Sequence, residues 1–134
     1  MGFLSVTSEM GMFHSACLFE TSGRQQWRGY HPSTHRSPVA LAEIDRSNRD
    51  ALVNHYIRFS IDDKVLDAAL TGAERMYEGT EYILGVRDCV SFSADVVRMC
   101  GLAVPRVNMT PFGLVQILRV NDYTELDIKP YPWR

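Results

Sequence analysis

The sequence has few cysteines, and none of them are closely paired. Cys17, Cys89 and Cys100 are the three cysteines among 134 residues, and no C-x-x-C pair occurs. An odd count without close pairs argues against a disulfide framework and against a structural zinc site. This cysteine usage fits synthesis in a reducing compartment.

The sequence also lacks a strong charge of one sign and long apolar runs. The formal net charge is -2 at pH 7, which gives no electrostatic reason to expect a nucleic-acid partner. The first residues lack a cationic region followed by an apolar core, and no run approaches the roughly eighteen apolar residues of a membrane span. We therefore expect synthesis in the cytoplasm without a Sec signal, and no membrane anchor.

Length and composition set the size of the fold. The chain has 134 residues, of which 46% are hydrophobic and 22% are charged. These values are ordinary for a soluble globular protein, and the length suffices for one hydrophobic core. We expect one domain over residues 1–134.

A β-hairpin is predicted near the N-terminus. Residues 10–20 and 25–31 are rich in strand formers, and turn-forming residues separate them. If residues 22–23 form a two-residue loop, His14 lies directly across from His31. A slip of one residue would place the two histidines on opposite faces, and a longer loop is an alternative register.

Beyond the hairpin, the pattern predicts one more strand and three helices. Ser60 and Asp63 resemble a capping box at the start of the first helix. Residues 39–50 and 78–87 carry no clear pattern, and the tail ending YPWR is expected to be extended. The predicted strand is 52–61, with Val53, His55, Ile57, Phe59 and Ile61 on one face. The predicted helices are one that this capping box opens and that runs to about Tyr77, one that starts near Cys89, and 111–120.

Cys89 is the candidate nucleophile, because it lies where a glycine-bearing turn gives way to an amphipathic helix. Free backbone N–H groups and the positive end of the helix dipole favour a thiolate there, although Asp88 opposes it. With a histidine nearby, Cys89 would be largely ionised near neutral pH. The alternative is that Cys89 is a small core residue, as many unpaired cysteines are.

His14 is the best placed of the four histidines to serve as a base. It is expected in mid-strand, on the face of Ala16 and Leu18, and is either a catalytic base or a satisfied core histidine. His31 could orient His14 or be a strand-end surface residue. His31 and His35 are four residues apart, but the prolines around them argue against a helical metal pair. His55 and Cys17 are expected in the core.

The order of these parts resembles the circularly permuted papain-like superfamily, which is related to the NlpC-type cell-wall peptidases and to the lecithin:retinol acyltransferases. In that superfamily the histidine precedes the cysteine. The similar segments are MFHSACLFE, WRGYHP and YILGVRDCVSFSADVVRMCGL. Phe13 replaces a usual glycine, Asp88 stands where asparagine is common, and Phe92 keeps an aromatic position. The resemblance spans residues 11–105.

The resemblance implies an α+β domain in which an antiparallel sheet holding His14 packs against the Cys89 helix, so that thiolate and imidazole meet. Cys89 would attack a carbonyl and form an acyl-enzyme, and His14 would protonate the leaving group. His31 would orient His14, and backbone N–H groups at the helix start would form the oxyanion hole. The resemblance implies no metal and no organic cofactor.

The resemblance leaves several substrates open, and an amide bond in peptidoglycan peptides is favoured among them. The chain resembles the small amidase toxins that bacteria export through specialised secretion machines, which would give it an immunity or secretion partner protein. The alternatives are a lipid acyl hydrolase or acyltransferase, an isopeptidase, and a catalytically inactive binding domain of the same fold.

Overall fold

A six-stranded antiparallel sheet and three helices make up the described part of the chain, which confirms the α+β class. The computed structural model describes residues 2–9, 14–33, 38–106 and 109–120. The strands lie in the order β5-β1-β2-β3-β4-β6. In chain order the elements are β1 (Gly2–Glu9), β2 (His14–Thr21), β3 (Arg24–Pro32), β4 (Val39–Asp45), β5 (His55–Ile61), α1 (Asp63–Tyr77), β6 (Glu81–Ile83), α2 (Cys89–Met99) and α3 (Pro111–Val120).

The predicted hairpin and its register are confirmed in β2 and β3. Thr21 pairs with Arg24, so the loop has two residues. Ser22 and Gly23 both have positive φ, 44° and 79°, as a type I′ turn requires. This turn matches the twist of the strands, and its length sets which residues of β3 face those of β2.

Three strands fall where no strand was predicted. β1 precedes the predicted hairpin, and β4 and β6 occupy the segments assigned to connections. The predicted strand 52–61 is real only from His55, where β5 begins. Val53 lies before β5 and packs with Tyr56, so it is not on the face of Ile57 as predicted.

The helix predictions are confirmed, with one change at a cap. α1 starts at Asp63, but Asp62, not Ser60, is its N-cap, because the Asp62 carboxylate accepts a hydrogen bond from the Lys64 backbone N–H at 2.9 Å. α2 begins at Cys89 and α3 covers the predicted range. None of the helices in the described ranges is long and apolar enough to cross a membrane. Residues 10–13, His35 and the YPWR tail lie outside the described residues.

The sheet has two faces with different cores. Residues of alternate positions on β2 separate cleanly: Cys17 and Phe19 belong to the main core with all three helices, whereas Ala16 and Leu18 belong to a second cluster on the other face. The second cluster also contains Trp27, Val53 and Tyr56. The strand β2 is thus covered on both sides.

An aromatic cluster fixes α2 on the sheet. The buried Phe92 ring stacks on Tyr30 of β3 at 6.2 Å between centroids and meets Tyr77 of α1 edge-on at 5.1 Å. Tyr82 of β6 also stacks on Tyr30, at 5.6 Å. Such contacts add to the burial of large apolar area. Packing around Phe92, the fourth residue of α2, therefore holds the start of this helix on the sheet.

We expect Phe92→Ala to lower the free energy of unfolding by about 3–5 kcal/mol, because it leaves a cavity where three elements meet. Chemical denaturation monitored by circular dichroism measures this loss. Val65→Ala on the exposed side of α1 is the control and should stay within about 0.5 kcal/mol of wild type. A Phe92→Ala loss no larger than that of the control would contradict the packing role.

Candidate active site at the start of helix α2

Cys89 is the first residue of α2, and the preceding residue fixes the chain there. The Asp88 carboxylate accepts a hydrogen bond from the Ser91 backbone N–H at 2.9 Å and another from the Gly85 N–H at 2.8 Å. Asp88 is therefore the N-cap of α2 and also closes the turn before it. The predicted position of Cys89 in the first turn of a helix is confirmed.

The Cys89 thiol is buried, with 5% of the residue exposed, and this burial governs its ionisation. Burial raises the pKa of Cys89 to about 11, and the Asp88 carboxylate acts in the same direction. Backbone N–H groups of Ser15 and Val90 and the Tyr82 hydroxyl lower the pKa but do not offset the burial. The expectation that Cys89 is largely ionised near neutral pH is therefore wrong, because desolvation outweighs the helix start.

Ser15 connects Cys89 to strand β2. Its backbone N–H faces the Cys89 thiol, and its hydroxyl donates a hydrogen bond to the Ser93 hydroxyl of α2 at 2.8 Å. The described pairing of β2 with β3 begins at the pair Ala16 and Gly29, one residue after Ser15 in the chain. The thiol thus lies at the point where β2 and β3 cease to pair, beside the residue that follows His14.

His14 is the first described residue of β2, and its predicted mid-strand position depends on residues 10–13, which lie outside the described residues. Side-chain alternation places it on the face of Ala16, away from the main core that contains Cys89. The structure therefore brings Cys89 to the backbone next to His14. Whether thiol and imidazole meet during a reaction stays a prediction.

The His14 imidazole is buried and neutral. Burial lowers the pKa of His14 to about 3, and the positive charges of Arg49 and His31 lower it further against the opposing effect of Asp45. Within the described residues, its Nε2 atom has no hydrogen-bond partner. This nitrogen lies 3.0 Å from where a Cβ would stand on Gly29, so the ring occupies space that a side chain at position 29 would need.

His31 lies beside His14, as the predicted register requires. The two ring centroids are 6.3 Å apart, with the rings edge to face. The His31 Nδ1 donates to the Pro32 carbonyl at 3.0 Å, and Nε2 is 3.6 Å from a carboxylate oxygen of Asp45. That second distance is an ion-pair distance, longer than a good hydrogen bond. The carboxylate of Asp45 raises the pKa of His31.

Sequence reasoning missed the charged groups that surround the two histidines. Glu9 at the end of β1 is 1% exposed, and Arg49 binds its two carboxylate oxygens at 3.0 and 2.6 Å. Arg49 also binds Asp45 at 3.0 Å. His31 and Arg49 together hold the pKa of Asp45 well below its usual range. No spacing in the sequence signals this group, because its members come from β1, β4 and the segment after β4.

The remaining candidate residues take structural positions. Cys17 is fully buried in the main core, as expected, and burial raises its pKa to about 12. Cys100 follows the other end of α2, and burial raises its pKa to about 11. The His55 ring packs on Phe112 of α3 at 4.4 Å between centroids. Within the described residues, no group of three or more His, Cys, Asp or Glu side chains could hold a metal ion.

A cleft of about 520 Å³ lies along α2. Asp88 and Val90, the two neighbours of Cys89, line it together with the turn before α2. Its charged lining residues are Asp88, Asp95, Arg98 and Arg106. The Asp95 carboxylate accepts hydrogen bonds from the Tyr77 hydroxyl at 2.6 Å and from Arg98 at 2.8 Å. The cleft is thus a groove with a mixed lining next to the start of the helix, because Leu84, Val86, Val90 and Met109 line it as well as the charged residues.

Comparison of the chain with protein-family models, with curated proteins and with solved structures gives no match. The chemistry of the site therefore has to be argued from the residues themselves.

We expect acid to destabilise the protein through His14. Its pKa is lower in the folded state than in the unfolded chain, so the unfolded state binds the extra proton and stability falls as pH falls from about 6.5 toward 3. Between about pH 6.5 and 4.5, denaturation should show a loss approaching 1.4 kcal/mol per pH unit.

The control for this loss is His14→Gln, which should flatten the dependence of stability on pH over that range. The pKa of His31 is raised in the folded state. Its contribution to stability is therefore fully present below its unfolded pKa, and it does not add to the loss of stability in acid. Equal slopes for wild type and His14→Gln would show that His14 titrates normally.

Proposed function

We propose that this protein is a cysteine hydrolase of the permuted papain-like type that cleaves an amide bond, with Cys89 as nucleophile and His14 as general base. The observation that carries the proposal is the contact between the Cys89 thiol and the backbone N–H of Ser15, the residue next to His14. A helix-start cysteine beside a strand-borne histidine is an arrangement suited to acyl transfer.

The protonation states favour a general-base mechanism over a preformed ion pair. Near neutral pH the Cys89 thiol keeps its proton and the His14 imidazole is neutral, because both are buried. A neutral imidazole can accept the thiol proton as the sulfur attacks the substrate carbonyl. The resulting imidazolium gives that proton to the leaving amine. Water then hydrolyses the thioester, which releases the carboxylic acid product and restores the free thiol.

The start of α2 supplies groups for the developing negative charge. Backbone N–H groups of the first helical turn point away from the helix and toward the place where an oxyanion would form. The Asp88 side chain already takes the N–H of Ser91. We therefore assign the oxyanion to the first N–H groups of the helix, including that of Cys89.

Peptidoglycan peptides are the proposed substrate, and the lining of the cleft supports them. Asp95, Arg98 and Arg106 place both signs of charge in a groove beside Cys89. A peptide that carries carboxylates and amines can add ion pairs and hydrogen bonds to these groups, which an acyl chain cannot. Export by a specialised secretion system and an immunity or secretion partner belong to the same proposal.

A second candidate, a lipid acyl hydrolase or acyltransferase, is favoured by an exposed apolar set near the start of α2. Leu84 and Val86 in the turn before Asp88 are exposed, as are Val39 and Leu41 of β4. Val39 pairs with Ile83 of β6, which leads directly into that turn. Exposed apolar residues close together are typical of surfaces that meet a lipid or a protein.

We expect Cys89→Ala and His14→Ala each to reduce hydrolysis at least about a thousandfold, and the double variant to be hardly worse than either, because the two groups act in one step. His31→Ala should cause a smaller loss. Rates of peptide release from purified peptidoglycan fragments measure these effects, with circular dichroism as the test of folding.

Two matched controls separate chemistry from packing. Cys100→Ala removes a buried thiol just past the other end of α2, and His55→Ala removes a histidine that packs on Phe112. Both should lower stability more than activity. Full activity of a folded Cys89→Ala variant would refute the proposed nucleophile. A folded but inactive His55→Ala variant, together with an active His14→Ala variant, would identify His55 of β5 as the base instead.

We expect the protein to release peptide fragments from cell wall and to leave phospholipid intact when both are offered in the same assay and products are identified by mass spectrometry. Phospholipid turnover with untouched cell wall would favour the lipid acyl hydrolase. Cleavage of a protein-modifier isopeptide alone would favour the isopeptidase, and a folded protein that binds without turning over any of these would favour the inactive binding domain.

A further inference from the structure

The structure points to a role for the charged groups beside the two histidines. We infer that Asp45 is a positioning residue, whose carboxylate holds the His31 imidazole beside His14 and is itself held by Arg49 clamped on Glu9. This inference rests on the proposed function, because it gives the charged groups a purpose in orienting the base.

The contacts form a continuous chain from β1 to β2. Glu9 binds Arg49 at 2.6 Å, Arg49 binds Asp45 at 3.0 Å, and Asp45 lies 3.6 Å from His31. His31 in turn lies 6.3 Å from His14 between ring centroids. Glu9 and Arg49 are largely buried, so these charges are screened little by water and their geometry is fixed by pairing.

His31 is held at both of its ring nitrogens. Nδ1 donates to the Pro32 carbonyl, and Nε2 faces Asp45. These two contacts restrict the orientation of the ring, which lies edge to face with His14. An imidazole fixed in this way can limit the movement of its neighbour and set the charge that His14 experiences.

Several titratable groups face His31, and they define the controls. Asp45 and Glu43 belong to β4, where Glu43 is the cross-strand partner of His31. His14 approaches from β2, and Arg49 from the segment after β4. Glu43 also raises the pKa of His31, but its effect is smaller than that of Asp45. Glu43→Gln is therefore the matched control for Asp45→Asn.

The test is an NMR titration of the imidazole C–H signals in the full-length protein. Wild-type His31 should titrate above its ordinary value of about 6.5, and Asp45→Asn should lower this pKa more than Glu43→Gln does. In the activity assay, Asp45→Asn should lower kcat about tenfold or more with KM little changed and the pH profile displaced, and Glu43→Gln should stay near wild type.

A wild-type His31 that titrates at or below 6.5 would overturn the inference without any variant, so a misfolded Asp45→Asn protein cannot hide the answer. An unchanged His31 pKa in folded Asp45→Asn would overturn it as well. Failure of the proposed function is a separate result: an active Cys89→Ala variant would refute the nucleophile while the His31 titration still reports whether Asp45 positions that ring.

Discussion

Glu9, a carboxylate with almost no access to water, anchors the charged groups that lie beside the two histidines. Glu9 is 1% exposed, and Arg49 binds both of its carboxylate oxygens, which offsets the cost of burying this group. This ion pair connects the end of β1 to the segment after β4, although β1 and β4 are not neighbours in the sheet. Arg49 then has one further donor for Asp45, and Asp45 faces His31. Arg49 and Asp45 thus connect His31 to Glu9, which is the cross-strand partner of His14.

Strand β2 connects the two reactive groups of the proposed site, the Cys89 thiol and the His14 imidazole. One of its faces packs against the helices, and Ser15 there contacts both Cys89 and Ser93 of α2. The other face carries His14 among charged groups and a small apolar cluster. Since the described residues place Cys89 and His14 on opposite faces of β2, the proposed proton transfer from sulfur to nitrogen requires a path past the backbone of Ser15. A strand covered on both faces also explains why its residues are almost all buried.

Local signals in the sequence predicted the parts of the fold that local chemistry determines. The two-residue turn, the periodic helices and the helix start at Cys89 follow from neighbouring residues. β1 was missed although Leu4, Ser5, Val6 and Thr7 alternate as in a strand; Ser5 and Thr7 are nevertheless fully buried, so the alternation does not report that both faces are covered. The cluster of Glu9, Asp45 and Arg49 could not be predicted, since it forms only when distant strands pair. The raised pKa of Cys89 has the same origin, because burial is a property of the whole fold.

The burial of all three thiols bears on how long the protein survives outside a reducing compartment. Peroxides and disulfides react with thiolates, and burial raises the pKa of Cys17 to about 12 and those of Cys89 and Cys100 to about 11. Very little thiolate is therefore present at neutral pH, and oxidants reach the sulfur atoms poorly. We therefore expect slow oxidation of these thiols, without a disulfide and without a reductant to protect them. If Cys89 is the nucleophile, the burial that keeps it protonated would also preserve it in an oxidising medium until a substrate arrives.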